Sequence, residues 1–544
     1  MTDPTGFDLI HQPWIVGRSL DGTTEELGVL PTLARAHELA GLSGDLPTQT
    51  FAMTRMLLAV LHGALRGPGE LTEWEELWAA EALPADRIAG YLDRHRDRFD
   101  LFHPETPFLQ VAGLRTAKGE TSELSKLIAD VPNGVPFFAT RRGALSLSFA
   151  EAARWVVHCH AFDPSGIKSG AVGDRRVKGG KGYPIGVAWS GWLGGLLLEG
   201  RTLKETLLLN LIARDFDDYQ RDPEHDVPVW ERPSLTAEDE SGYVDEGRGP
   251  TGPVDLYVWP SRRIRLVAEG SRVTRVLIAN GNRLAPHDRQ ADEPHTAWRR
   301  SPNQEKALKS SAPVYMPRAH DPDRAIWRGL EAMLPAVSSR QGQHGANALA
   351  PGIMEWLGHL AMERAIPADL PVQVRAIGMV YGSNSSVVDD VVHDSLALRA
   401  GLARRDAVEQ TEFVLSCVRA ADAAALALGN LAGDLVAAAG GAGDGPRSRA
   451  REQLYARLDP EFRDWLLRVT GDADPNDLRD DWHRRADRVT REAADELLGN
   501  LSPACWVGRE VRGRVMTAAH AQNRFRIALR NALPAAYAAE PAPA

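Results

Sequence analysis

The sequence predicts an α+β protein, with a large, irregular N-terminal domain that contains an antiparallel sheet and a C-terminal four-helix bundle. With 544 residues, the chain is longer than one hydrophobic core normally serves, so we expect at least two domains. Strand-like segments are concentrated between about residues 227 and 280. Beyond about residue 388, long stretches rich in Ala, Leu, Arg and Glu dominate. We therefore predict domains over residues 1–390 and 391–544.

The N-terminal domain is expected to mix helices and strands. Phe51–Leu65 and Glu73–Leu83 have the apolar spacing of helices. Asp255–Val267 and Arg272–Ala279 are rich in β-branched and aromatic residues and predict two antiparallel strands, with a turn at the proline of the first segment. Asp288–Ala312 is polar and predicts an exposed loop or short hairpin.

The second half predicts a hairpin and then the bundle. Val372–Ser386 is a strand-like run that ends in a Gly-Ser-Asn-Ser-Ser tip, which is typical of a hairpin turn. From Val388 onward, apolar residues recur at three- and four-residue spacing. Polar breaks at Gly440–Pro446, Asp474–Asn476 and Leu501–Ala504 divide this region into four antiparallel helices.

Composition limits the function classes. Hydrophobic residues at 43% and charged residues at 25% are ordinary for a soluble globular protein. Three scattered cysteines predict neither a disulfide framework nor a cysteine-based zinc site, which fits a reducing cytoplasm. The opening 22 residues lack the apolar core of a signal peptide, and no membrane partner is expected. The net charge of −10 argues against a free-standing, non-specific DNA binder.

The most informative stretch runs from His158 to Gly186. It is rich in glycine and holds five basic residues against two aspartates, Asp163 and Asp174; the basic residues are Lys168, Arg175, Arg176, Lys178 and Lys181. Glycine lets a ligand approach the backbone closely, and local positive charge suits a polyanion such as nucleic acid. A solvated surface loop kept soluble by its charges is the competing interpretation.

Searches for enzyme chemistry return little. Gly180–Tyr183 lacks the Ser or Thr of a phosphate-binding loop, and His158–Cys159–His160 has no second ligand pair near it for a metal. Asp389, Asp390 and His393 resemble a carboxylate cluster for two-metal nuclease chemistry, although acidic residues at a helix start are the simpler interpretation. Neither a catalytic residue, a metal nor a cofactor is predicted.

Several segments follow one another in the order found in one protein family. They are FDLIHQPWIVGRSLDG (Phe7–Gly22), HPETPFLQV (His103–Val111), LIADVPNGVPFF (Leu127–Phe138), SGIKSG (Ser165–Gly170), LLLNLIARD (Leu207–Asp215), PVWER (Pro228–Arg232), NGNRLAPH (Asn280–His287) and the hairpin tip within Tyr381–Asp394. The chain thus resembles, over essentially its whole length, the large subunit of the type I-E CRISPR Cascade complex, the CasA family.

The resemblance implies a non-catalytic, cytoplasmic subunit of an RNA-guided complex. Such a subunit recognises the protospacer-adjacent motif (PAM) in double-stranded target DNA, mainly from the minor groove, and promotes initial duplex opening and R-loop formation. It contacts the 5′ handle of the CRISPR RNA (crRNA) and helps to recruit the helicase-nuclease. Its other implied partners are the backbone, small and crRNA-processing subunits of Cascade.

The resemblance also implies roles for individual residues. The family's glycine loop matches Asp163–Gly170, with Ser165 and Gly166 at the key positions and Lys168 beside them. Its basic finger matches Arg275, with Arg272 as the alternative, and its strand-separating wedge matches Ser383, Asn384 and Ser385. The loop that grips the RNA handle matches 131–138, with Asn133, Phe137 and Phe138 as contacts, although Phe137 and Phe138 also suit simple hydrophobic anchoring of the loop.

These roles fit elementary physical chemistry. The minor groove admits backbone and small side chains, and its negative potential attracts an inserted arginine. Unstacking a base step costs a few kcal/mol, which one or two good base contacts offset. Two alternatives remain open at this point: a metal-dependent nuclease built on Asp389, Asp390 and His393, and a purely structural scaffold whose basic loops are incidental.

Overall fold

The computed structural model describes residues 6–129, 146–216, 224–238, 249–340, 346–511 and 514–537. Its strands are β1 (Ile15–Ser19), β2 (Thr24–Leu27), β3 (Leu39–Ser43), β4 (Ser122–Glu123), β5 (Lys168–Ser169), β6 (Lys181–Gly182), β7 (Gly195–Glu199), β8 (Arg262–Glu269), β9 (Arg272–Asn280), β10 (Trp298–Arg300), β11 (Tyr315–Pro317), β12 (Ala348–Leu349), β13 (Pro371–Tyr381), β14 (Val388–Arg399), β15 (Arg509–Val511) and β16 (Arg514–Met516).

Helices make up most of the remaining regular structure. They are α1 (Val29–Ala34), α2 (Pro47–Leu65), α3 (Leu71–Ala79), α4 (Ala85–Arg94), α5 (Phe149–Phe162), α6 (Leu203–Leu209), α7 (Pro253–Tyr257), α8 (Pro302–Leu308), α9 (Pro335–Arg340), α10 (Gly352–Met362), α11 (Val408–Ala439), α12 (Asp444–Leu466), α13 (Pro475–Gly499), α14 (Pro503–Val507) and α15 (Ala518–Ala532).

The chain divides into two units. The first comprises Met1–Asp323, Gln341–Leu360 and Val372–Ser395, and the second comprises Arg324–Arg340, Ala361–Pro371 and Leu396–Ala544. The division that we predicted after residue 390 therefore falls inside strand β14 rather than in a linker. Two short segments before it, around α9 and the start of β13, also belong to the second unit.

Helix α2 is the centre of the first unit. All of its residues are buried except Pro47 and Gly63, which are partly exposed. The helix packs against α4, α5 and α7. A helix that is apolar all round belongs in the core of a large domain, as the spacing of Phe51–Leu65 predicted. Its one buried arginine, Arg55, makes a bidentate pair with Glu293 at 2.7 and 2.8 Å, and Trp189 donates to the same carboxylate at 2.6 Å.

The sheets around this core are small and antiparallel where their pairing is described. Their strand orders are β2-β1-β3, β4-β9-β8, β11-β10-β12 and β14-β13-β7, with the two-stranded β5-β6. This confirms the α+β class. Two predictions were wrong in detail. The strand predicted from residue 255 begins only at Arg262, because 255–257 form the end of helix α7. The segment 288–312 is not exposed throughout, because Glu293 and His295 are completely buried.

The second unit contains the predicted helices. In its described part, α11 packs against α12, α13 and α15, and the aromatic rings of Phe462, Trp465 and Trp482 fill the centre. Gly433 allows the close approach of α12, since a β-carbon there would lie 2.6 Å from Arg447 Cγ. The hairpin β15–β16 before the last helix was not predicted, and 388–399 form a strand rather than the start of a helix.

One described helix, α11, is long and apolar enough to cross a membrane by length and composition. Its apolar stretch is 61% buried within the protein, and the core helix of a soluble bundle has the same composition. Packing against three neighbouring helices accounts for its hydropathy.

Candidate nucleic-acid interface

The interface is built on the end of helix α5. Ser148 and Glu151 form a capping box at its start, with reciprocal side-chain to backbone hydrogen bonds. The helix ends at Asp163, whose side chain is 4% exposed and bonds two cations through the same oxygen, Oδ2. Arg262 Nε of β8 and Lys168 Nζ each lie 2.5 Å from that oxygen.

This buried triad fixes the base of the glycine loop. Burial opposes ionisation of Asp163, but Lys168 and Arg262 outweigh it and hold the pKa of the carboxyl below its ordinary value. Arg262, which is 1% exposed, also donates to the carbonyls of Pro164 at 3.2 Å and Gly186 at 2.9 Å. One guanidinium thus ties the entry of the loop to the end of the glycine-rich stretch.

The loop itself reaches solvent. Gly166 has a φ of +134°, which other residues rarely adopt, and a β-carbon there would meet nothing within 4 Å. Ile167 next to it is 60% exposed, whereas the side chain of Ser165 is buried. Lys168 and Ser169 form strand β5, which pairs antiparallel with Lys181 and Gly182 of β6.

Fewer basic side chains of the glycine-rich stretch, 158–186, are available to a ligand than the sequence suggested. Lys168 is committed to Asp163, and Arg176 bonds Asp174 at 2.9 Å and the carbonyls of Asn280 and Gly281. Arg175, Lys178 and Lys181 are exposed. Lys168, which the resemblance predicts as a DNA contact, is partly exposed and forms an ion pair with Asp163 at the loop base.

The β13–β14 hairpin contacts the glycine loop, a contact that the sequence alone did not predict. The backbone N–H of Ser165 donates to the carbonyl of Ser385 at 2.8 Å. Below the tip, the Tyr381 hydroxyl donates to the carbonyl of Phe162 at 2.6 Å. Tyr381 fits because residue 191 is glycine, since a β-carbon there would lie 2.3 Å from its oxygen.

The hairpin tip is a tight turn. Ser383, Asn384 and Ser385 form a single turn in which Asn384 and Ser385 adopt left-handed backbone angles, with φ of 54° and 53°. Ser383 and Asn384 are exposed, while Ser385 faces the loop through its carbonyl. The predicted wedge and the predicted glycine loop are therefore one continuous structure.

The two candidate finger residues, Arg272 and Arg275, are both exposed on strand β9. A β-bulge near Thr274 shifts the register between β8 and β9, so that Arg272 and Arg275, three residues apart, are both exposed. Arg275 donates to the hydroxyl and carbonyl oxygens of Thr121 at 2.6 and 2.5 Å. Arg272 donates likewise to Ser146 at 2.7 and 2.6 Å, so both guanidiniums are held by uncharged groups.

The predicted RNA-handle contacts, Asn133, Phe137 and Phe138, lie outside the described residues. The segment that precedes them is described. Ser125–Ala129 lines a cavity of about 50 Å³ together with Asp163, Pro164 and Ser386–Val388. Ser125–Ala129 therefore lies beside the bases of both the glycine loop and the hairpin.

The candidate nuclease cluster is not assembled. Asp389 and Asp390 are successive residues of strand β14 and point to opposite faces, so our helix-start interpretation was also wrong. His393 Nε2 accepts a hydrogen bond from Arg375 at 2.9 Å. No group of three metal-ligating side chains occurs within the described ranges.

Sequence reasoning missed Arg262 and the role of Tyr381. The signal for Arg262 was a pair of arginines opening an otherwise apolar strand, where a buried charge requires a buried partner. The sequence placed Asp163, the partner, at the start of the glycine loop, but did not indicate that its carboxylate pairs with Arg262.

Comparisons with known proteins identify the family of the chain. A family model described as CRISPR-associated protein Cse1 matches residues 8–493. CasA/Cse1 of Thermus thermophilus is 33% identical over 416 residues, which cover 75% of this chain and 74% of that protein.

Solved structures give the same result. The crystal structure of Thermobifida fusca Cse1 has 44% identity and a TM-score of 0.91, covering 98% of this chain and 99% of its own. Cse1 from Acidimicrobium ferrooxidans has 31% identity and a TM-score of 0.83, with coverage of 98% and 99%. A chain of a CRISPR RNA-guided surveillance complex shares the fold at 20% identity and a TM-score of 0.63, over 91% of this chain and 100% of that one. The chain therefore belongs to the CasA/Cse1 family, the large subunits of the type I-E CRISPR Cascade complex that its sequence resembles.

Proposed function

We propose that this chain recognises the PAM in double-stranded target DNA and begins the separation of its strands, as a non-catalytic subunit of an RNA-guided surveillance complex. The observation that carries the proposal is the hydrogen bond from Ser165 to Ser385. It joins a loop suited to the minor groove to a hairpin tip suited to part base pairs. Recognition at the loop and opening at the tip are thereby coupled in one rigid structure.

The loop suits the minor groove because it offers backbone and little side chain. Gly166 leaves open space at its β-carbon position, and the loop base is held by Asp163 and Arg262. A narrow groove with few distinguishing groups is best approached by such a surface. Lys168 contributes to this surface by fixing the loop base through its ion pair with Asp163.

Arg275 and Arg272 supply the positive charge. Each is exposed, and each donates to neutral oxygens of Thr121 or Ser146, so that its charge is not cancelled by a carboxylate at those contacts. The negative potential of a narrow minor groove favours an inserted arginine. The exposed Lys178 and Lys181 add phosphate contacts that carry no sequence information.

The tip acts as a wedge. Ser383 and Asn384 are exposed at the end of a hairpin that Tyr381 anchors to the end of α5. Because unstacking one base step costs a few kcal/mol, a braced turn of small residues is sufficient to favour an opening that guide pairing then extends.

The partners follow from the family. We infer contacts with the crRNA 5′ handle, the backbone, small and crRNA-processing subunits, and the helicase-nuclease; the fold shared with a surveillance-complex chain supports this assembly. Ala129, two residues before the loop that would contact the handle, lines a cavity with Ser386 and Val387 of the hairpin.

The proposal is tested in the reconstituted complex with two matched pairs. Arg275→Ala should weaken capture of PAM-containing DNA by about 1–3 kcal/mol, with guide RNA retention unchanged, because one groove contact is lost. Arg201→Ala, which alters a side chain that is 90% exposed and distant in sequence, should have no effect. Equal loss on matched and mismatched PAM duplexes would indicate generic phosphate binding instead.

The second pair tests the loop. Gly166→Ala and Gly22→Ala each put a side chain on a residue with positive φ, +134° and +88°, and with open space around it. Both should cost similar backbone strain, on the order of 1–3 kcal/mol. Only Gly166→Ala should impair DNA capture. If capture survived both Gly166→Ala and deletion of Asp163–Gly170, the chain would instead be a purely structural scaffold.

A further inference from the structure

A second polar cavity lies in the first unit, formed by the end of α2, helix α4 and the segments around residues 214 and 224–231. Its volume is about 630 Å³, within the range of about 300–1,000 Å³ that is usual for small-molecule sites. Three arginines from separate parts of the chain, Arg66, Arg94 and Arg214, line it. None of them takes part in the interface described above.

These arginines differ from most others in the protein. Among the residues that the structure describes, no carboxylate pairs with Arg66, Arg94 or Arg214, and their guanidiniums donate no hydrogen bond. The Arg94 guanidinium lies 5.7 Å from the centre of the Tyr91 ring, and the Nε of Arg214 is buried without a hydrogen-bond partner among the described residues. A buried donor left without a partner costs about 1–3 kcal/mol, which an arriving acceptor would recover.

Two of the three carboxylates that line the cavity, Glu231 and Asp226, accept hydrogen bonds from the protein itself. Glu231 accepts from the Tyr91 hydroxyl at 2.5 Å, and Asp226 accepts from the backbone N–H groups of Val254 and Asp255 at 3.3 and 3.0 Å. The formal charges of the three arginines and of the three carboxylates in the lining, Glu224, Asp226 and Glu231, balance. The arginines nevertheless keep guanidinium N–H groups that donate to no described acceptor. The unused donors are guanidinium N–H groups, five on each arginine.

We propose that this cavity binds a small phosphate-bearing ligand. Several guanidiniums converging on one space match the geometry and charge of a phosphate group, which accepts paired hydrogen bonds. The volume accommodates a mononucleotide, and the acceptors at Glu231 and Asp226 suit the hydroxyl or amino donors that such a ligand also carries.

The test measures binding of AMP, inorganic phosphate and adenosine to the full chain by titration calorimetry at constant ionic strength. AMP should bind, and adenosine, which lacks the phosphate, should bind at least tenfold more weakly. Binding of inorganic phosphate alone identifies the phosphate group as sufficient. Absence of binding by both AMP and phosphate at millimolar concentration, or equal binding of adenosine, overturns the proposal.

Variants locate the site. Arg214→Gln should weaken AMP binding about tenfold or more, as the loss of a charged hydrogen-bond donor requires. Arg66→Gln changes an exposed side chain with no contact to lose, so it keeps the fold and should also weaken binding. Arg201→Gln, on a residue outside the cavity, is the matched control. Undiminished binding in Arg66→Gln and Arg214→Gln, or equal loss in the control, contradicts the assignment.

Discussion

Replacing Asp163 by asparagine should destabilise the first unit and disorganise the glycine loop. The Asp163 carboxylate lies 2.5 Å from both Arg262 Nε and Lys168 Nζ. With an effective dielectric constant of about 20, each pair attracts by about 7 kcal/mol, most of which offsets the desolvation of the three charges. The net cost of removing one buried partner is about 3–5 kcal/mol, because Arg262 would keep an uncompensated charge at 1% exposure.

Urea-induced unfolding followed by tryptophan fluorescence measures this loss. Glu38→Gln is the matched control, since its pair with Arg35 has side chains 51% and 41% exposed and should contribute less than about 1 kcal/mol. A loss for Asp163→Asn no larger than for Glu38→Gln would refute the claim that the triad fixes the loop base.

The pH dependence gives an independent check. The folded-state pKa of Asp163 is lowered, so its contribution is present above the unfolded pKa of about 3.9 and is lost as pH falls through the folded value. The stability difference between wild type and Asp163→Asn should therefore be constant from about pH 7 to 5 and shrink below about pH 4. A difference that already shrank between about pH 7 and 5 would contradict the lowered pKa.

Three further predictions concern the support of the site and its chemistry. Tyr381→Phe removes the hydroxyl that donates to Phe162 and should cost about 1 kcal/mol of stability, with less strand opening beside the PAM; unchanged opening would show that this anchor is not needed. Glu293→Gln leaves the buried Arg55 without its carboxylate and should cost about 3–5 kcal/mol in urea unfolding, and a cost below about 1 kcal/mol would contradict the dependence of the buried Arg55 charge on Glu293. Asp390→Ala alters an exposed residue and should leave DNA capture unchanged, while magnesium or manganese should support no DNA cleavage by wild type; cleavage abolished by Asp390→Ala would restore the nuclease hypothesis.

The regular parts of the fold were largely predictable. Phe51–Leu65 is apolar enough to require a core position. In Val372–Ser386, a strand-like run followed by a polar turn sequence indicates a hairpin. The strand at 388–399 was not predicted, because pairing with β13 overrides the local pattern. The same tertiary effect placed Asp389 and Asp390 in a strand.

The candidate site was predictable in its segments but not in its connections. Order along the chain located the loop, the arginines and the tip, whereas the contact of Ser165 with Ser385 spans 220 residues and depends on packing. Lys168 shows that the number of basic residues in a segment does not reveal which of them are paired within the protein. A basic residue near a buried aspartate becomes part of the protein's own structure, and only the surroundings of Asp163 reveal it.

The most direct measurement follows 2-aminopurine fluorescence next to the PAM in target duplexes, with surveillance complexes assembled with and without this chain. Complete complexes should brighten the probe on PAM-bearing duplexes before guide pairing extends, and complexes without the chain should not. Equal opening of PAM-bearing DNA by both assemblies would contradict the role assigned to the loop and hairpin.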